Sequence, residues 1–185
     1  MRLRLRFRFI AIVSLILAST IAILAMKSAS VETGWQEAAR SAPPGLMQQV
    51  IRENLSSDFT GDAGRMKVWR IVQSGQSKPL FLVDTRSMNE ASHPHENPLC
   101  GAMGCKFLGY VSTTKDRYQQ VFANYLKPQL PPKVPLIEPT PKIQSGLPTL
   151  KINQLEGRQV KQSVLAFNGK EYEVVETQLL PKMYE

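Results

Sequence analysis

His93, His95, Glu96, Cys100 and Cys105 fall within 13 residues of one another. Imidazole nitrogens and thiolates are the ligands that zinc and copper accept, so His93 and His95 are candidate metal ligands beside the cysteines. Three other chemistries compete for the same residues. A redox pair would normally be spaced C-x-x-C at a helix N-terminus, where the helix dipole lowers a thiol pKa. Here four residues intervene, and the residues that follow, Lys106-Phe107-Leu108-Gly109-Tyr110-Val111, read as a strand. Gly101 and Gly104 let the loop bend enough for Cys100 and Cys105 to form a disulfide. Two free, buried thiols are the remaining alternative. Pro94 and Pro98 break up the segment, which makes His-Pro-His read first as a solvated turn rather than a metal centre. The choice among these chemistries depends on compartment, and so on the elements around them.

The compartment is written at the N-terminus. Residues 9–26 (FIAIVSLILASTIAILAM) carry no charge and lie between Arg8 and Lys27. As a helix this run would extend about 27 Å, close to the hydrocarbon thickness of a bilayer. Arg2, Arg4, Arg6 and Arg8 precede it, and that asymmetry keeps the N-terminus in the cytoplasm. The expectation is a single pass through an inner or plasma membrane, with the rest of the chain periplasmic or extracellular. Ser28-Ala29-Ser30 would suit signal cleavage, but the apolar run is long for a signal peptide and favours an uncleaved anchor. Outside the cytoplasm the cysteine pair reads first as a disulfide.

Charge supports the same division. The 185 residues carry 23 Lys and Arg against 15 Asp and Glu, a formal charge of +8. Five of the bases and none of the acids lie in residues 1–30, so the remaining 155 residues hold 18 bases and 15 acids and carry only +3. A nearly balanced exported domain is a poor nucleic-acid binder, and no nucleic-acid partner is expected.

Three regions follow: the Arg cluster and signal-anchor at 1–30, a spacer at 31–42, and an extracytoplasmic domain at 43–185. Pro43-Pro44 opens a short amphipathic helix with Leu46, Met47, Val50, Ile51 and Leu55 on one face. Strands are expected over 66–72, 80–84 and 106–111, where β-branched and aromatic residues concentrate. The last 35 residues read as a three-stranded meander, 150–155, 160–167 and 170–175. Glu156-Gly157-Arg158 forms one turn, and Asn168-Gly169 the other, as a type I′ hairpin. Tyr172 and Val174 would face inward, with Glu171, Glu173 and Glu176 on a wet face. Tyr118, Val121, Phe122, Tyr125 and Leu126 sit at helical spacing in a segment whose composition also suits a strand. Residues 128–148 hold seven Pro in 21 positions, which excludes a helix or central strand and predicts an extended strap. The expected fold class is therefore α+β: an N-terminal transmembrane helix, a short amphipathic helix, and a mostly antiparallel sheet ending in a meander. Trp35 and Trp69 are candidate contact aromatics, with the membrane interface as the other reading for Trp35 and the core of its strand as the simplest one for Trp69.

The string Cys100-Gly101-Ala102-Met103-Gly104-Cys105, with Phe167-Asn168-Gly169-Lys170-Glu171-Tyr172 further on, resembles small exported bacterial domains of unknown function. Those domains have a C-G-x-x-G-C loop between strands and a later F-N/D-G-x-x-Y turn. The resemblance spans residues 66–176 and implies that 118–126 is a strand. It also implies a second cysteine pair in some relatives, at the positions of Thr149 and Ala166 here. It brings no catalytic residues.

No other motif supplies chemistry. There is no G-x-S-x-G elbow, P-loop, G-x-G-x-x-G or H-E-x-x-H, and no cofactor is expected. The reading is a membrane-tethered, noncatalytic extracytoplasmic domain that binds a protein or envelope component. The alternative is a metal-binding or thiol-redox protein using His93, His95, Cys100 and Cys105.

Overall fold

The computed structural model describes residues 34–59, 61–88 and 97–181. The expected membrane segment at 9–26 and the candidate ligands His93 and His95 lie outside them. Among the described residues no helix is long and apolar enough to cross a membrane.

The α+β expectation is corrected. Half of the described residues are strand, in two antiparallel sheets, and among them helix is confined to short pieces. The described α-helices are α1 (Ala38–Ser41) and α2 (Leu46–Asn54), with a 3-10 turn at Ala63–Arg65. Short elements of this kind cover a sheet but cannot set the fold class.

The first sheet contains β1 (Gln36–Glu37), β2 (Lys67–Ile71), β3 (Leu80–Asp84), β4 (Cys100–Gly101), β5 (Gly104–Thr114) and β6 (Arg117–Leu126). β2 pairs β1 and β3, β3 pairs β5, and β5 pairs β6 along its other edge. The second sheet runs in the order β10 (Tyr172–Leu179), β9 (Gln159–Phe167), β8 (Leu147–Glu156), β7 (Ile137–Gln144). β1 and α1 fall within residues expected as spacer. Ala38 is buried there, and Trp35 packs edge-on against Trp69 and Phe107, with ring centroids 5.7 and 6.1 Å apart.

Two cores result, one on each face of the first sheet. Leu82, Phe107, Val111 and Phe122 meet Leu150, Ile152, Leu165 and Phe167 of the second sheet. On the opposite face Val68, Phe81, Val83, Leu108 and Tyr110 pack under Leu46 and Val50 of α2. This explains why all five residues of β3 are buried. A strand covered on both faces reads as a continuous apolar run rather than an alternating one.

The open choice at 118–126 is decided, and two other local expectations are refined. The helical spacing at 118–126 is produced by a strand. The register passes from Gly109↔Phe122 to Tyr110↔Gln120, leaving Val121 as an extra residue. A bulge of this kind puts Val121 and Phe122 on the core side together. The proline-rich strap contains β7, a strand at the sheet edge whose pairing is irregular between Pro139 and Ile143. Edge strands tolerate Pro because a ladder donor is not needed on the outer side. The Asn168-Gly169 hairpin closes one step wider than a two-residue turn, with Phe167 opposite Tyr172. The Asn168 Oδ1 accepts from the amides of Lys170 at 2.8 Å and Glu171 at 2.9 Å, and this side-chain capping stabilises the longer loop.

Candidate functional site

The cysteines lie directly opposite each other where β4 pairs β5, and their Sγ atoms are 2.11 Å apart, at bonding distance. Gly104 makes the tight return possible. Its φ is +103°, and a Cβ there would lie 2.3 Å from the Leu126 carbonyl oxygen of β6. With both sulfurs joined, neither thiol is free. Among the described residues no group of three or more His, Cys, Asp or Glu side chains is placed to hold a metal ion. The Cys100–Cys105 bridge therefore fixes a hairpin tip, which presents the exposed Met103 to solvent.

A second place in the fold is shaped for binding. On one side the two sheets are tied together. The Ser77 amide and hydroxyl both donate to the Gly146 carbonyl, at 2.9 and 3.1 Å. On the other side, among the described residues, β6 pairs only β5 and β10 pairs only β9, so each sheet ends there in an edge without a strand partner, facing the same gap. The gap is a groove of about 190 Å³, with Val121, Phe122, Leu165 and Tyr172 as its apolar floor. Gln120, Asn124 and Glu171 stand at its rim. The Gln119 side-chain amide donates to the Lys170 carbonyl at 3.2 Å, and that of Gln154 donates to the Tyr125 carbonyl at 3.4 Å. These bonds hold the ends of β6 to the second sheet while the middle stays open.

Tyr172 anchors the floor. Its ring packs at 6.3 Å from Phe122 and 5.8 Å from Phe167, and its hydroxyl donates to the Pro148 carbonyl at 2.6 Å. Burial pushes the Tyr172 pKa well above the ordinary phenol value, so the ring stays neutral and keeps that bond. Val174, expected inside, is on the same side of β10 as Tyr172 but is 58% exposed. The physical reason is the open edge: nothing in the first sheet reaches over it. Val175 and Leu179 are also more than half exposed, which makes β10 an unusually apolar free strand. Glu171, Glu173 and Glu176 are exposed as expected, and none forms an ion pair among the described residues.

No family model, curated protein or solved structure matches this chain. Nothing in the groove pairs a nucleophile with a base. What it offers is unpaired backbone, an apolar floor and an acidic flank. Trp35 and Trp69 belong to the core, not to this surface. The alternation at 171–174 marked the acidic flank in the sequence, but the groove itself depends on which edges remain unpaired after folding.

Proposed function

We propose that this chain is a noncatalytic, extracytoplasmic binding domain, held at the inner or plasma membrane by the apolar run 9–26, whose β6–β10 groove takes an extended segment of a partner polypeptide. The observation that carries the reading is the pair of free strand edges facing one gap over an apolar floor. An added strand gains main-chain hydrogen bonds from the edge, while pockets for alternate side chains supply selectivity. The charge of β10 defines the occupant. Three glutamates in Glu171–Glu176 without ion-pair partners among the described residues suit a segment that alternates apolar and basic residues. The same charges oppose antiparallel pairing of β10 with a second copy of itself, because like charges across strands repel. The export reading is supported by the arginine cluster before the apolar run and by the joined cysteines. The metal or thiol-redox alternative has less support, since both sulfurs are bound to each other.

The reading is tested by fluorescence anisotropy on the full chain in detergent, with an eight-residue peptide alternating Lys and Val and its counterpart alternating Glu and Val. Tighter binding of the lysine peptide, weakened in the Glu171→Gln/Glu173→Gln variant, is the expected result. Equal affinities, or binding unaffected by the double substitution, would count against it.

A further inference from the structure

On the helix-covered side of the first sheet, α2 and the β5–β6 turn enclose a cleft of about 470 Å³. We propose that this cleft binds a small hydroxylated carboxylate of the kind an acidic sugar residue presents. It is a separate site from the groove and does not depend on the strand-binding reading.

The cleft is built rather than accidental. Gln49 of α2 is buried and grips the start of β6, accepting from the Tyr118 amide at 2.9 Å and donating back to the Tyr118 carbonyl. The Tyr118 hydroxyl donates to the Pro44 carbonyl at 3.0 Å. Gly45, at φ +81°, lets the Asp116 carbonyl approach so closely that a Cβ would lie 2.6 Å from it. These contacts fix the two walls against each other, so ligand binding would not have to order them.

The lining then specifies the ligand. Arg52 of α2 and Arg117 at the start of β6 both line the cleft. Neither makes a side-chain hydrogen bond or ion pair among the described residues. Two free guanidiniums facing one cleft suit a planar carboxylate, which each can engage through paired N–H donors. Asp116 also lines the cleft, leaving one excess positive charge, which matches the single carboxylate of one acidic sugar residue seated there. The same Asp116 carboxylate, the Gln48 side-chain amide and the Thr113 hydroxyl are the groups available to neighbouring hydroxyls. Thr113 already donates to the Arg117 carbonyl at 3.3 Å and keeps its lone pairs for a ligand. Tyr118 is the one aromatic side chain in the lining, so an apolar ligand would find little to bury against.

The test is isothermal titration of the full chain in detergent with galacturonic acid trimer, neutral galactose trimer and inorganic phosphate. The acidic trimer is expected to bind, the neutral trimer and phosphate to bind at least tenfold more weakly, and R52Q and R117Q each to weaken the acidic trimer about tenfold. R70Q, which removes an exposed charge on β2, is the control and should change nothing. Binding of the Lys-Val peptide should be unaltered in R52Q and R117Q, which separates this site from the groove. Absence of binding, equal binding of the neutral trimer or of phosphate, or full affinity in R52Q and R117Q would overturn the proposal.

Discussion

The Gln49 side chain reads the backbone of Tyr118 as a neighbouring strand would, accepting from its amide and donating to its carbonyl. Through this one buried amide the nine-residue helix α2 is locked to β6, the strand that contributes to both proposed binding surfaces. Gln49→Ala leaves both Tyr118 groups without these partners. The expected cost is about 2 kcal/mol, measured by urea unfolding, because deserted buried polar groups bear their desolvation penalty. Gln49→Glu keeps the acceptor but turns a buried carboxylate toward the Tyr118 carbonyl and the Glu53 carboxylate, which the Gln49 amide otherwise donates to at 2.7 Å, and should cost at least as much as alanine.

Burial of Tyr172 makes stability depend on pH in the alkaline range. Its folded pKa, like that of Tyr110, is raised well above the unfolded value of about 10 by burial. Above that pH the unfolded chain holds fewer phenolic protons than the folded one. Stability is therefore fully present below pH 10 and is lost as pH rises beyond it. Urea midpoints between pH 9 and 11 should fall, and Tyr172→Phe should shallow that fall. At neutral pH the same substitution removes the donor to the Pro148 carbonyl and should cost about 1 kcal/mol.

The disulfide closes a very short loop, so its removal should be mild. Loop-closure entropy for a separation of five residues is worth about 2 kcal/mol. Cys100→Ser/Cys105→Ser should lower stability by that amount and leave peptide binding in the groove intact, because the bridge joins β4 to β5 whereas β6, β9 and β10 line the groove. Thiol titration of the parent chain without reductant should detect no free thiol.

Asp84 is buried at the end of β3 and is held by Arg86, whose Nε and Nη2 reach its carboxylate at 2.7–2.9 Å. The same guanidinium lies 5.3 Å from the centre of the Phe107 ring. Arg86→Met would strand a buried carboxylate. We expect a loss on the order of 2–3 kcal/mol, below that of a fully buried pair because the Arg86 side chain is 39% exposed. Asp84→Asn/Arg86→Met should recover part of it in the same unfolding assay.

Several strands were legible in composition alone: β2, β3 and β5 through their β-branched and aromatic runs, and β8 and β9 through the turn at Glu156-Gly157-Arg158. β6 was ambiguous for a physical reason. A single bulged residue, Val121, converts a period of two into a spacing that mimics a helix. Pro139 and Pro141 masked β7, which is tolerated because it lies at an edge. The Cys100–Cys105 contact followed from spacing and glycine placement. The groove did not follow from anything local, since it depends on β6 and β10, separated by 45 residues, ending two different sheets on the same side. The α+β class gave too much weight to helical segments that amount to little of the described fold.

The strand-binding account is tested most directly by photo-crosslinking in intact membranes, with a benzophenone side chain placed at Val174 on the groove or at Arg158 in the exposed β8–β9 turn. The account predicts an adduct from Val174 alone, to a partner segment that alternates apolar and basic residues. No adduct, the same adduct from Arg158, or an adduct to a second copy of this chain would contradict it.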